Sequence, residues 1–412
     1  MAAARRATGG SLWRLPGIRR LVAVTLAGMV GYAATLSALP WWAAQGGATL
    51  GQAGLVTTAM LTATVLTQTL VPALVRRLGS GRTLAAGLVA LGAPAPFLAL
   101  TADLVPLVAL SAVRGTGFAA LTVVGSTLTW TLSPRGRHGE AAGLYGLAVG
   151  LGSLVVVPGA VALAQNVAFW PVALLAATPL VGVPWALRMA RDERATAAPE
   201  VSGLGGLARH GRAVLAVLAP SAVLLVVTLA GSGLVTFLPI DRPAGLLAPA
   251  ALLLFGATTA LARYRAGLLA DRLGTRRLLP AAAVVGALGL AGVAGGLLAP
   301  DGWGTAAVLV AATVAGVGYG AVQNLTLVAA FARVDGEDTP TASAVWNLSF
   351  DGGTAVGAAA VGAVAAWDLS DGRSLGVPAA LLLCALLVAA AAPLGTLGRR
   401  SGRPLVPAGG RV

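Results

Sequence analysis

Twelve apolar runs of about twenty residues each, joined by short connections rich in arginine, limit how this chain can fold more than anything else in it. A run of that length crosses a hydrocarbon core of about 30 Å when coiled as a helix. Within lipid every backbone N–H and C=O must find its partner inside the protein, so only helices and closed barrels span a bilayer. Barrel strands alternate apolar and polar residues over about ten positions, whereas these runs are continuously apolar. They lie at about 21–43, 51–75, 83–102, 106–131, 140–164 and 168–188. Six more follow at about 213–240, 245–269, 277–298, 304–331, 340–366 and 376–397. The first run is longer than the 7–15 residues of a signal-peptide core and is expected to span. The expected fold class is all-α and transmembrane, with twelve helices.

Composition excludes the main competitors. Only 10% of residues are charged and 57% are hydrophobic, while a soluble domain carries about 25% charged residues. A net charge of +14 could suggest nucleic acid as a partner. The arginines, however, sit in short connections and never gather on one soluble face, so no nucleic-acid partner is expected. Their distribution instead sets orientation. All 28 basic residues are arginine, and 25 lie in the termini and the connections on the same side as the termini. Arg242 and Arg373 lie on the other side, and Arg114 falls within the fourth run. The positive-inside rule then places both termini in the cytoplasm.

The expected organisation follows from these spacings. Residues 1–20 form a cytoplasmic N-terminus, 21–187 a first six-helix bundle, 188–212 a cytoplasmic linker, 213–397 a second six-helix bundle and 398–412 a cytoplasmic tail. Asp192, Glu193, Pro199 and Glu200 mark the linker by their polarity. The single cysteine, Cys384, excludes an intrachain disulfide, and two loop histidines, His138 and His210, do not make a zinc or haem site. No phosphate-binding G-x-x-x-x-G-K-[ST] loop occurs, which disfavours a chain driven by ATP. No enzyme motif stands out, and no cofactor is expected. Arginine without lysine, beside so much alanine and glycine, is the codon signature of a GC-rich bacterium, so a bacterial inner membrane is the expected location.

A short basic stretch occurs twice. Gly267-Leu268-Leu269-Ala270-Asp271-Arg272-Leu273-Gly274-Thr275-Arg276-Arg277 joins the eighth and ninth runs. Pro72-Ala73-Leu74-Val75-Arg76-Arg77-Leu78-Gly79-Ser80-Gly81-Arg82 joins the second and third, and Gly79 and Gly274 are 195 residues apart. Read as G-x-L-A-D-R-x-G-x-R-R, the later copy resembles the signature loop of the major facilitator superfamily (MFS) of transporters. The six-plus-six arrangement is similar to that family's two parallel halves. Arg114-Gly115-Thr116-Gly117 resembles the R-x-x-G segment of bacterial drug exporters, and Ala342–Gly353 resembles helix eleven of sugar- and drug-efflux members. Two departures stand out. Arg76 occupies the first copy's acid position, and Val157 interrupts the antiporter pattern echoed by Gly152–Gly159. The resemblance implies gating loops at Gly267, Asp271, Arg272, Gly274, Arg276 and Arg277, with Arg76, Arg77, Gly79 and Arg82 as the first-half counterparts.

Charges inside a bilayer cost about 2.5–3.5 kcal/mol each on insertion scales, so each needs a reason. Asp351 is the one acid deep within a run, about 11 residues past Pro340. At about 1.5 Å per residue that is near mid-membrane, where a carboxylate can load and release a proton. Asn347, four residues earlier on the same helical face, could share the proton or the substrate. The structural alternative is that Asp351 bonds a neighbouring helix. Arg114 is the one basic residue expected inside a run, either attracting an anionic substrate or bonding exposed carbonyls near Gly115 and Gly117. In the family, helices one, four, seven and ten line the cavity. Their polar residues here include Tyr32, Thr35, Thr122, Ser126, Ser232 and Thr236. Tyr319, Gln323 and Asn324 follow on helix ten, and Trp346 is added from helix eleven. Threonines of the second run are expected to serve packing and gating, and Trp41 and Trp42 to anchor the outer interface.

These residues lead to an expected function: secondary active transport of a small organic molecule by alternating access. Proton-coupled efflux of a drug, sugar or metabolite leads, with the proton as coupling ion and a monomer as the working unit in the bilayer. Proton-coupled uptake uses the same fold. A non-transporting membrane sensor or scaffold is the alternative of another class.

Overall fold

The computed structural model describes residues 12–133, 138–193, 211–300, 302–334, 338–367 and 376–396. These residues form helices and connections, with no strand among the described residues. Twelve helical segments are long and apolar enough to cross a membrane. The first six are α1 (Pro16–Gln45), α2 (Leu50–Gln68), α3 (Ser80–Ala99), α4 (Leu104–Thr129), α5 (Ala148–Asn166) and α6 (Trp170–Ala190). The last six are α7 (Gly211–Asp241), α8 (Leu247–Ala270), α9 (Thr275–Leu298), α10 (Trp303–Phe331), α11 (Thr341–Ala365) and α12 (Gly376–Thr396). The all-α, twelve-span expectation holds. The connection Pro134–Arg137, most of the linker and the C-terminal tail lie outside the described residues.

Proline chemistry explains the breaks. α1 consists of helices Pro16–Leu36 and Ala38–Gln45, because Pro40 has no N–H to donate to the Leu36 carbonyl. α2 opens on a capping box, in which Thr49 Oγ1 accepts from the Gln52 amide and Gln52 Oε1 accepts from the Thr49 amide. It ends at Gln68, whose carbonyl is likewise left without a helical donor by Pro72, and a short helix Val71–Leu78 continues the path.

The repeated basic stretch is more compact than a loop. The helix of α8 runs on to Leu273 and that of α9 starts at Thr275, leaving Gly274 alone between them at φ 76°. In the first half, Gly79 stands alone between Leu78 and Ser80 at φ 84°. Only glycine adopts such backbone freely, so both copies are single-residue turns between helix ends. Arg76, Arg77, Arg82, Arg272, Arg276 and Arg277 are all exposed there. The backbone of Asp271 continues the helix, and its side chain lies outside the described residues. Arg263 and Arg265 lie inside α8, as the bounds of the eighth run already implied, and not in a connection, which corrects the expectation that Arg114 is the only basic residue within a span.

Small residues bring equivalent helices together in each half. A Cβ on Gly117 of α4 would come within 2.3 Å of the Gly87 carbonyl on α3, and one on Gly318 of α10 within 2.2 Å of the Gly286 amide nitrogen on α9. Around these contacts Leu84, Leu88, Leu91 and Leu121 form one core, and Val293, Ala312, Leu290 and Val388 another.

The first and last six spans meet at the arginine-poor end. Gln165 Nε2 at the end of α5 donates to the carbonyls of Pro239 and Arg242, both at 2.9 Å. Asn166 Nδ2 donates to the Gly245 carbonyl at 3.2 Å. Arg242 pairs with Asp241 and donates to the Leu297 carbonyl at 2.9 Å, so this pair is built into the junction. Phe237 of α7 packs against Gly54 and Gly362, from opposite halves. Trp42 stacks on Phe169 and donates to the Leu98 and Thr101 carbonyls, and Trp41 is buried. Both tryptophans pack into the protein at this end.

Candidate functional site

Arg114 enters the interior of the first half on α4, and no part of it is exposed. Its guanidinium is spread across two other helices. Nε donates to the Leu91 carbonyl at 3.0 Å, Nη1 to Thr35 Oγ1 at 2.8 Å and Nη2 to the Gly31 carbonyl at 2.7 Å. The acceptors are neither of the glycines beside it in sequence but groups 23 to 83 residues away. Thr35 in turn donates to the Tyr32 carbonyl, so Arg114 ties α1, α3 and α4 into one unit. Tyr32, one turn from Thr35, lies flat on Phe118 of α4, with ring centroids 4.1 Å apart.

Asp351 lies on α11, ten residues from Thr341 and fourteen from Ala365, which is near mid-span. Its Oδ2 accepts from Gln68 Nε2 at 3.1 Å, a hydrogen bond between the two halves of the chain. One turn along α11, the Ala355 carbonyl accepts from Thr58 of α2 at 2.8 Å, so α2 and α11 are joined at two levels. Asn347 does not join this group, because its amide donates back to the Ser343 carbonyl at 2.8 Å.

On α10, Tyr319 and Gln323 share a face as their spacing requires. Tyr319 fits over Gly231 of α7 and tilts against Phe255 of α8, with centroids 5.2 Å apart. Gln323 is buried, lies within hydrogen-bonding reach of the Tyr319 hydroxyl and accepts from Arg263 Nη1 at 3.4 Å. Asn324 lies against Gly267 of α8, and its buried Oδ1 has no hydrogen-bond partner. Gly267 is thus a helix-packing position as well as the first residue of the repeated stretch.

The remaining candidates divide by what their side chains touch. Ser232 donates to the Thr354 carbonyl at 2.8 Å and joins α7 to α11. Trp346 donates to Thr326 Oγ1 and stacks on Phe350. Thr122 and Ser126 donate to carbonyls of their own helix. Thr236 is buried with an unpartnered hydroxyl. On α2, Thr64 donates to the Gly115 carbonyl of α4, a packing role.

Two site residues escaped the sequence reading. Gln68 is a lone amide at the end of the threonine-rich run, and Pro72 four residues later was a usable signal for a break there. Arg263 was counted with the arginines of the following connection although it lies inside the bounds of the eighth run.

A family model described as Major Facilitator Superfamily matches residues 21–358. No curated protein sequence matches the chain. Among solved structures, a bacterial homolog to the human lysosomal transporter Spinster, in an inward-facing and occupied conformation, superposes with a TM-score of 0.72 at 14% identity, covering 94% of this chain and 97% of that one. The nucleoside transporter NupG superposes with a TM-score of 0.70 at 12% identity, covering 91% and 97%. At such identities the likeness establishes the fold.

Proposed function

Because the chain belongs to the major facilitator superfamily, we propose that it works as a proton-coupled secondary transporter exporting a small organic molecule by alternating access. In this reading the termini and linker face the cytoplasm of a bacterium, as the arginine bias requires. Two bundles, residues 21–187 and 213–397, move about a site between them. The junction at the arginine-poor end is the closed outer mouth, and the conformation is inward-facing.

One observation carries the coupling: the hydrogen bond from Gln68 to Asp351 joins the end of α2 to the middle of α11, and so one half to the other. A charged carboxylate accepts such a bond about twice as strongly as a neutral group does. Loading a proton onto Asp351 weakens the bond and releases one half from the other. Unloading restores it, so the proton and the conformation are linked through a single contact. A ligand or ion shifts a conformational equilibrium only by its differential affinity for the two states, and this contact supplies one.

The test begins with compound accumulation in cells with and without the protein, each with and without a proton uncoupler. Export predicts lower accumulation with the protein and loss of that difference on uncoupling. Higher accumulation would instead establish uptake. With a transported compound in hand, Asp351→Asn is expected to abolish uncoupler-sensitive transport in vesicles. Coupled transport intact in that variant rejects Asp351 as the proton carrier.

A further inference from the structure

Arg263 is a cation inside a span with most of its hydrogen-bonding capacity unused. It lies seven residues from the Ala270 end of α8, about 10 Å along the helix. A long basic side chain near a helix end can snorkel to the membrane surface. Arg263 does something else. It belongs to a stripe, Phe255, Thr259, Arg263 and Gly267, repeating every four residues along the side of α8 that faces α10. Phe255 meets Tyr319, Thr259 donates to the Gly316 carbonyl at 3.2 Å, and Gly267 meets Asn324. Arg263 therefore points sideways at α10, where its hydrogen bond to Gln323 is long at 3.4 Å.

A guanidinium offers five N–H donors in a planar fork that matches a carboxylate. Here one is in use, the side chain is exposed, and no carboxylate pairs with it among the described residues. An intramembrane arginine costs about 2.5–3.5 kcal/mol on insertion scales, and among the described residues the long bond to Gln323 is the one hydrogen bond set against that cost. Gln323 and the Tyr319 hydroxyl beside it add a carbonyl, an amide and a hydroxyl able to complete a polar pocket.

We propose that Arg263, with Gln323 and Tyr319, is a carboxylate-binding subsite, so that the transported molecule is an organic acid. This rests on the transporter reading above and adds the substrate's chemical class to it. Arg263 holds the carboxylate through its free fork, Gln323 turns its amide N–H toward the second oxygen, and Tyr319 donates its hydroxyl. Bound substrate then supplies the negative charge that no described residue brings to Arg263.

The test uses the purified full chain in a neutral detergent, read by tryptophan fluorescence during thermal unfolding. Probes are matched acid and amide pairs: benzoate with benzamide, hexanoate with hexanamide, and succinate with succinamide. At least one acid is expected to raise the midpoint where its amide does not. Arg263→Gln should remove that difference and Arg263→Lys should keep only part of it. Gln323→Glu places a carboxylate within reach of Arg263 and should also abolish the acid's effect while the protein stays folded. The proposal is overturned if no acid stabilises the wild type more than its amide, or if the preference survives Gln323→Glu. Equal stabilisation by inorganic phosphate, or loss of the acid's effect on adding phosphatidylglycerol, makes it a lipid-headgroup site and also overturns it. The acid–amide comparison is made without a proton gradient, so failure of proton coupling and failure of this subsite are separately visible.

Discussion

Arg114 and Arg263 carry the same charge into the same bilayer, and their surroundings differ in every other respect. Arg114 is sealed, with donors on three groups from two other helices. Arg263 is exposed and holds a single long bond to a glutamine. Buried charge that is fully bonded serves as a structural tie, whereas a charge left largely unsatisfied within a span marks a place where something else binds. An arginine's position in a span is therefore a poor guide to its role, and its unused donors are a good one.

The contrast predicts opposite responses to the same substitution. Arg114→Leu removes three charge-assisted bonds, each worth about 1.5–3 kcal/mol, partly offset by no longer burying a charge. A net loss on the order of 3 kcal/mol is expected, seen as a lower unfolding midpoint or failure to accumulate in the membrane. Arg263→Leu is expected to be neutral or slightly stabilising, since replacing an unpaired charge by an apolar side chain often is. If Arg263→Leu destabilises as much as Arg114→Leu, both arginines are structural ties and the contrast collapses.

Gln68→Leu tests the contact between halves. It leaves Asp351 without its donor and is expected to move the balance between conformations by about 2 kcal/mol, the scale of one hydrogen bond to a charge. Cysteine cross-linking or spin-label distances between α2 and α11 would report a wider separation. An unchanged distance distribution would mean that Gln68 is not part of the conformational coupling.

The smallest effects belong to the two glycine turns. Gly79→Ala and Gly274→Ala each force a side chain into backbone at φ 84° and 76°, at about 1–2 kcal/mol. The matched geometry predicts matched costs by thermal unfolding, even though Arg76 and Asp271 differ. A cost confined to Gly274→Ala would show that the first copy has lost the role that the second retains.

Much of the architecture was legible because it depends on quantities local to the chain. Continuous apolarity specifies a spanning helix, and the length of each run matches the bilayer. The repeated stretch with its glycines also read through to the structure, though the helices close in on it until one residue remains. Asp351 at mid-span followed from counting residues along α11. The sorting of arginines by side was less reliable, because charge was read as a mark of a connection even within the bounds of a run. That is how Arg263 was assigned to a connection.

The sequence by itself determined that this is a twelve-span helical membrane protein with a half-chain repeat and a strongly one-sided distribution of arginine. It pointed too to Arg114 and Asp351 as charges within the bilayer, since each costs energy there and is therefore rare. Only the tertiary structure decided what those residues do. Arg114 finds its acceptors on α1 and α3, and Asp351 finds Gln68 across 283 residues of chain. Asn347, which shares the face of Asp351 by spacing, turns back to its own helix. Local periodicity sets which face a side chain occupies, but the partner it meets depends on how helices distant in sequence pack, and no local pattern encodes that.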